Sequence, residues 1–555
     1  MIQQEWDKDI VTLSLNESVI KNYAQNSSSL QCCYQNITRV NGSDNNINLS
    51  TCKSFHNKIQ LPEKSEFVLV RCKVNGNVVY KNGYALVRKK SDVVKRFKKP
   101  KFSNNSTQKR PLSVLLIGID SISRLNLKRS MPKTANYLHS NGWMELEGYN
   151  KIADNTFPNL MAILTGFNST MSYKVCSPTK MGKLDACPMV WYTFKENGYA
   201  TAYAEDEMSI NTFNYHKTGF VSPPVDHYFR PFGLAAESYL QKKKEDHLDV
   251  CLGYQTYADH IYQYAVDFAT QYKGNPYFGL FWTSSFSHND FSSPTAMDAQ
   301  MLSYVVKLNE TGILNDALVV FFSDHGVRFG DVRKLLIGWY EERLPFIFFS
   351  FPAWFKEKYF DYVRNFEINK NRLTTPFDLH VTLKNVLSLS KSFTENLSSS
   401  SCASCQSLFE EIPERSCEDA SIEEHWCTCT PYEKIDKNST EIKKAVDFVI
   451  NVMNQKLKTY KAKTKATTKY SNKCAELRLK HILNAYMGKS LFGDITYYLV
   501  SFVAKPSRGE FEATVKYNED IGYHLSGSIS RLNWYGKQSD CVNDANMKNY
   551  CFCYK

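Results

Sequence analysis

Residues 115–166 read LLIGIDSISRLNLKRSMPKTANYLHSNGWMELEGYNKIADNTFPNLMAILTG, and this stretch decides the fold. The run 113–119 is short, apolar and β-branched, the composition of a strand buried on both faces, and Asp120 stands at its carboxyl end. Open α/β sheets bind their ligands at that end. Further on, Asn155-Thr156-Phe157-Pro158-Asn159 opens an apolar, helix-compatible run that ends at Gly166. A hydroxyl at a helix start stands beside backbone N–H groups that have no partner within the helix. The stretch thus joins a strand-end carboxylate to a helix-start hydroxyl.

Outward from it, residues 111 to about 389 alternate between apolar strands and helical runs. Strands are expected at 113–119, 199–205, 277–283, 317–322 and 344–350, with helices at 133–141, 254–273 and 292–309. The alternation predicts an α/β domain, a mostly parallel central sheet flanked by helices. Polar residues follow the strand ends: Asp120, Asp206, His288, Asp324 and His325. Their recurrence there argues for one site assembled from distant segments.

Four regions follow. Residues 1–110 form a cysteine-bearing β module, with strands at 66–74 and 78–88 about an Asn75-Gly76 turn, and a basic linker over 89–110. The α/β domain occupies 111–395. Residues 396–440 are a Ser- and Cys-rich excursion tied by disulfides. Residues 441–555 form an α+β module, with helices at 441–457 and 472–487, strands at 494–503, 511–517 and 523–533, and a closure at Cys541, Cys551 and Cys553. No internal repeat is present.

A chain of 555 residues exceeds one ordinary core, and its 43% hydrophobic and 14% aromatic residues suffice for a large domain with attachments. The net charge of +12 is spread out, and its densest runs, 88–101 and 456–469, read as a linker and a solvated helix face. No nucleic-acid partner is expected. Sixteen cysteines, most of them outside the α/β domain, fit disulfides made in an oxidising compartment. Cys402-x-x-Cys405 and Cys427-x-Cys429 have the form of zinc ligands, but no Cys/His pair at finger spacing follows them.

Eleven Asn-x-Ser/Thr sequons stand at Asn16, Asn26, Asn36, Asn41, Asn48, Asn104, Asn105, Asn168, Asn309, Asn396 and Asn438. With the cysteines they predict a glycoprotein, secreted or held at the extracellular face of a membrane, with membrane-surface or matrix association open. There is no apolar run of membrane-spanning length, and residues 1–4 lack a leader core, so a leader or anchor is expected to be missing from this chain.

The residues suited to chemistry are Asp120, Thr156, Asp324, His325, His288 and His380. Phe321-Phe322-Ser323-Asp324-His325-Gly326 puts a carboxylate and an imidazole together where a buried strand ends. Aspartate oxygens with a histidine nitrogen form a mixed donor set suited to zinc. A threonine hydroxyl is a poor nucleophile at neutral pH, and coordination would favour its alkoxide. Each residue also has a plainer reading: Thr156 as a helix cap, Asp324-His325 as a hydrogen-bonded pair, His288 as a loop histidine and His380 as a packing histidine.

Asp120, the NTFPN segment with its downstream TG, and Ser323-Asp324-His325-Gly326 resemble, in that order, the alkaline phosphatase-like superfamily of metallohydrolases. The threonine segment looks most like the nucleotide pyrophosphatase/phosphodiesterase branch. With GIDSISR, FWTSSFSHND and WYEERLPF, the whole is closest to a group of sulfatase-like animal ectoproteins. The resemblance covers about residues 111–390. It implies one zinc bound by Asp120, Thr156, Asp324 and His325, with Thr156 as a nucleophile that becomes phosphorylated. It also implies that Asn159 hydrogen-bonds a non-bridging phosphate oxygen, and that His380 and His288 belong to a second zinc site.

One position departs from the pattern. The aspartate expected four residues before His288 is Ser284. Asp290 or Asp206 is then a substitute ligand or a substrate contact, or His288 meets the phosphate directly, as in the phosphoethanolamine-transferase branch; one or two zinc ions remain open. A sulfatase motif with a formylglycine precursor is not met, since its outer positions are Thr156 and Leu160. The reading is a phosphate-ester hydrolase of phosphodiesterase type acting on a small molecule, lipid or glycan. A phosphoethanolamine-type transferase and a non-catalytic ectoprotein scaffold are its alternatives.

Overall fold

A computed structural model describes residues 1–7, 9–24, 29–97, 111–245, 248–389, 397–463, 474–490, 494–542 and 544–554. Its centre is a seven-stranded sheet: β1 (Ser113–Ile119), β2 (Met144–Glu145), β3 (Ala200–Glu205), β4 (His227–Tyr228), β5 (Tyr277–Thr283), β6 (Ala317–Phe322) and β7 (Ile347–Ser350). The spatial order is β2-β7-β6-β1-β5-β3-β4. The five strands from β6 to β4 run parallel, while β7 and β2 are antiparallel additions at one edge.

All seven residues of β1 are buried, and the two-residue strand period divides them between two cores. Leu115, Ile117 and Ile119 join the core under the helices Pro132–Ser140, Tyr257–Tyr272 and Asp298–Glu310. Val114 and Leu116 join the core under Thr156–Thr165, Val190–Glu196 and Pro376–Ser388. Gly118 interrupts the apolar run because a Cβ there would lie 2.1 Å from the Trp282 ring.

The α/β expectation is met. The helix expected at 292–309 starts as a 3-10 turn, Ser293–Met297, before the α-helix Asp298–Glu310. Asp298, buried at that junction, accepts from Lys133 and Thr134 N–H at 2.9 Å, capping the neighbouring helix. The helix expected at 254–273 begins at Tyr257, behind a capping box of Thr256 and Asp259.

The N-terminal hairpin forms as read, with strands Phe67–Val74 and Asn77–Ala85. It packs directly on the central domain, since Ile37, Phe67 and Leu69 share one core with the sheet. Of the expected linker, residues Ser91–Phe97 are helical and 98–110 lie outside the described residues.

The C-terminal module requires one correction. Residues 472–487, expected as a helix, supply instead the strand Arg478–Lys489. Its Leu, Arg, Lys, Ala and Met favour a helix locally, but pairing with Thr496–Lys505 along its whole length buries Ile482 and Ala485 against the Thr440–Lys463 helix, and tertiary pairing wins over propensity. With Glu433–Lys434, Gly509–Asn518 and Gly522–Arg531 it forms a five-stranded antiparallel sheet.

This sheet is fastened to the central domain by buried charge. Arg343 donates to Glu512 at 2.9 Å and to Glu342 at 3.0 Å, and Arg333 reaches Glu512 at 3.3 Å. His425, kept neutral by burial, bridges Thr514 and Ser530.

Among the described residues the disulfides are Cys32–Cys72, Cys33–Cys52, Cys176–Cys187, Cys402–Cys405, Cys417–Cys427, Cys474–Cys551 and Cys541–Cys553. Cys251 and Cys429 carry free thiols, so the even count does not pair completely. Cys402, Cys405 and Cys427 are consumed in disulfides, which removes the zinc reading of those motifs. Asn41, Asn48, Asn168, Asn309 and Asn438 are exposed, Asn16 and Asn36 half-buried, and Asn26, Asn104, Asn105 and Asn396 lie outside the described residues. No described helix is long and apolar enough to cross a membrane.

Candidate metal and nucleophile site

The strand register builds the site. Phe322 pairs with Gly118 and Thr283 with Ile119, so β6, β1 and β5 end side by side. Asp120 follows β1 and Asp324 and His325 follow β6, which is why residues two hundred positions apart meet. A short N-cap turn then brings Thr156, the first residue of the Thr156–Thr165 helix, against Asp120. Its hydroxyl lies 3.4 Å from Asp120 Oδ2.

One ligand atom from each of Asp120, Asp324 and His325 lies within 4.8 Å of the others, and all three residues are buried. The hydrogen bonds around them fix which atoms stay free. Asp324 Oδ1 accepts from Ser121 N at 3.2 Å and His325 N at 2.9 Å, whereas Oδ2 has no hydrogen-bond partner. His325 Nδ1 is 2.8 Å from Gly326 O, a carbonyl that can only accept, so Nδ1 carries the proton. Nε2 is then a lone pair, also without a hydrogen bond.

That lone pair stands 3.1 Å from Asp324 Oδ2 and 3.6 Å from Asp120 Oδ1. Three electron-rich atoms facing one another in a buried site repel unless a cation lies among them. Burial pushes Asp324 up to about 6 and His325 down to about 4, which leaves the imidazole neutral and fit to coordinate. The residues present therefore fit a small divalent cation, with Thr156 as a further oxygen donor.

Two backbone features hold this geometry. Ser121 adopts φ of +63°, a strained left-handed conformation, and its hydroxyl donates to Asp120 Oδ1 at 2.8 Å. Gly326 must be glycine, because a Cβ would lie 2.1 Å from Glu341 O.

The other expected residues are placed differently. Asn159 is fully buried with its amide committed: Oδ1 accepts from Ile152 N, and Nδ2 donates to Ala153 O and Asn155 O at 2.9 and 3.0 Å. It shapes the turn that presents Thr156 and has no donor left for a phosphate oxygen. His380 stands against Gly166, at the far end of the Thr156–Thr165 helix, with Nδ1 on Ile163 O at 2.9 Å. Ten residues of helix separate Gly166 from Thr156, about 15 Å. His380 is thus outside the cluster, and burial lowers it to about 4 as a packed, neutral histidine.

His288 is likewise outside the cluster, half-buried, with Nδ1 on Asn289 Oδ1 at 2.8 Å. Asp290 caps the next turn by accepting from Ser292 and Ser293. Asp206 accepts from Ser284 N at 2.7 Å, Ser284 Oγ at 3.1 Å and Ser285 N at 3.3 Å. The serine that departs from the expected pattern is therefore a donor to a carboxylate one strand away. No second group of His, Asp and Glu ligands gathers among the described residues.

The sequence reading missed the charges ahead of Thr156. Lys151 is fully buried, pairs with Glu342, and stands 4.0 Å over the Trp426 ring; burial lowers it to about 8. Burial works against the Asp154 carboxylate, but Arg328 and Lys151 hold it below the usual range, and Arg328 forms a two-point pair with it. Both acidic partners lie in motifs quoted above, KIADNTFPN and WYEERLPF, but nothing in their spacing announces the pairing.

The chain belongs to the family described as "Protein of unknown function (DUF229)", whose model matches residues 1–483. No curated protein matches it. Among solved structures it is similar to the lipoteichoic acid synthase LtaP from Listeria monocytogenes, at 13% identity and TM-score 0.36 over 83% of this chain and 96% of that one. It is similar also to a phosphonate monoester hydrolase from Silicibacter pomeroyi, at 11% identity and TM-score 0.38 over 74% and 90%. A protein in the alkaline phosphatase superfamily from Vibrio parahaemolyticus shares 12% identity at TM-score 0.37 over 83% and 93%. These likenesses concern the fold, and no residue role is taken from them.

Proposed function

We propose that this chain is a secreted or cell-surface, zinc-dependent phosphate-ester hydrolase of phosphodiesterase type, with Thr156 as its nucleophile. The observation that supports the reading is the set of partnerless ligand atoms, Asp324 Oδ2 and His325 Nε2, facing Asp120 beside the Thr156 hydroxyl. A zinc ion held by these residues would favour the ionised threonine and neutralise charge on the phosphoryl oxygens.

The chain's own residues supply the rest. The helix start leaves backbone N–H groups around Thr156 unpaired, which suits an anionic phosphoryl group. The Thr156 hydroxyl faces Asp120, so its proton has an acceptor in place. As the Thr156 Oγ–P bond forms, the P–O bond to the leaving alcohol breaks and the alcohol takes up a proton, leaving phospho-threonine. Water then attacks phosphorus, and the Oγ–P bond breaks to regenerate Thr156. The disulfides and exposed sequons support the extracellular assignment.

Elemental analysis of the purified protein, combined with hydrolysis of nitrophenyl phosphate mono- and diesters, tests this. Bound zinc, activity that Thr156→Ala removes, and a phosphorylated Thr156 peptide are expected. Protein without zinc and unchanged by Thr156→Ala would make the chain a binding scaffold instead. A second reading, transfer of the phosphoryl group to an acceptor alcohol as in phosphoethanolamine transferases, is favoured by His288 lying outside the ligand cluster. Product analysis with added alcohol separates the two.

A further inference from the structure

Beside Thr156 in the chain, Phe157 carries a lysine that has no ion-pair partner among the described residues. Lys217 Nζ lies 4.3 Å over the ring of Phe157, the residue that follows the nucleophile. Its hydrogen-bond acceptor is the Tyr215 carbonyl at 3.0 Å, and no carboxylate lies within ion-pair distance of it among the described residues. The acid whose charge bears on it is Glu205, and both oxygens of that carboxylate are engaged: Oε1 accepts from Thr212 N at 2.8 Å and Thr212 Oγ1 at 3.0 Å, and Oε2 accepts from Tyr203 OH. Phe157, in turn, packs edge-on against Tyr173 at 5.6 Å, so the ammonium sits on an aromatic shelf beside Thr156. Such a shelf strengthens a cation's hold on its position while leaving its N–H donors available.

The other cation near Asp154, Arg328, lies on a loop held by the C-terminal module. Gly330 N donates to Leu532 O at 3.1 Å, and Phe329 stacks on Trp534 at 4.4 Å, which clamps the loop carrying Arg328 to the end of the Gly522–Arg531 strand. Arg328 is spent on Asp154, whereas Lys217 is not spent. Next to Thr156 in the chain, Phe157 thus carries Tyr173 at its edge and the Lys217 ammonium over its face.

Resting on the phosphate-ester reading, we infer that Lys217, held over the Phe157 ring beside Thr156 in the chain, selects substrates whose alcohol half carries a second anionic group. The ester phosphorus meets Thr156, and the additional anion meets the free ammonium. A neutral alcohol would leave that ammonium without a partner. Selection of this kind discriminates through an unsatisfied polar group rather than through pocket size.

Calorimetric titration of the zinc-loaded protein with 3-phosphoglycerate and with glycerol 3-phosphate tests the inference, since the two esters differ by one carboxylate. The carboxylate-bearing ester is expected to bind about tenfold more tightly, the worth of one charge-assisted hydrogen bond. Lys217→Met is expected to equalise the two, and Lys217→Arg to keep the difference. Circular dichroism of Lys217→Met checks that it is folded. Equal binding of both esters to the unsubstituted protein overturns the inference and leaves the phosphate-ester reading standing. Preference retained in folded Lys217→Met likewise overturns it. Binding of neither ester overturns the inference, while hydrolysis of the nitrophenyl mono- and diesters decides the phosphate-ester reading separately.

Discussion

Lys151→Met removes the fully buried ammonium that pairs with Glu342 and donates to the Asp154 carbonyl at 3.3 Å. Methionine matches its stem in length, so the change is one of charge. Glu342 stays behind in a site where burial opposes its charge and Lys151, Arg333 and Arg343 hold it far below the usual carboxylate range. Losing one partner of a buried pair costs roughly 3–5 kcal/mol. Because Arg343 still donates to Glu342 at 3.0 Å and Arg333 remains 3.8 Å away, the lower end applies, about 3 kcal/mol. Urea unfolding followed by tryptophan fluorescence reads this directly, since Trp426 lies under the missing ammonium. The double variant Lys151→Met/Glu342→Gln, which removes the stranded charge, should recover more than half of the loss. If the single variant unfolds within about 0.5 kcal/mol of the unsubstituted protein, the pair is not desolvated and the reasoning is refuted.

His227 is fully buried, hydrogen-bonded to Tyr272 OH at 2.8 Å, and lowered by burial to about 3. The unfolded chain therefore binds a proton at this residue that the folded chain refuses, and stability falls as pH drops below about 6.5, by about 2 kcal/mol at pH 5. His227→Gln should flatten that slope; an unchanged slope between pH 7 and pH 5 would sink the assignment. Gly326→Ala forces a Cβ to within 2.1 Å of Glu341 O, and the resulting shift of the His325 loop should cut zinc content at least tenfold, as read by elemental analysis. Chelation should abolish ester hydrolysis and zinc alone should restore it; restoration by magnesium but not zinc would reassign the metal. Peptide mapping should find glycans on exposed Asn41, Asn48, Asn168, Asn309 and Asn438 in chains made by a secretory host, and their complete absence would contradict the compartment.

The central sheet was legible in the sequence because its strands are wholly apolar and its helices periodic, so local composition and burial agree, as in residues 113–119. The cluster of Asp120, Asp324 and His325 was legible for a related reason: each follows a buried strand, and parallel strands bring those ends together. Asn159 and His380 were not, because an amide and an imidazole in an apolar helix look alike whether they face a ligand or a backbone carbonyl. The strand Arg478–Lys489 was hidden by residues that favour helices, and its pairing partner begins further along the chain. Lys217 had no signature at all. A lone lysine in an irregular loop acquires meaning from the ring it lies over.

The charge network that fastens the C-terminal sheet also sets an order of events during synthesis. Glu512 follows Arg343 by 169 residues and Arg333 by 179. At translation rates of about 5–20 residues per second, the two arginines wait about 8 to 36 s after they are made before their shared carboxylate exists. Throughout that interval Lys151, Arg333 and Arg343 have the single carboxylate of Glu342 to share. The buried charge network that reaches Asp154, two residues before Thr156, is therefore among the last parts of the nascent chain to close.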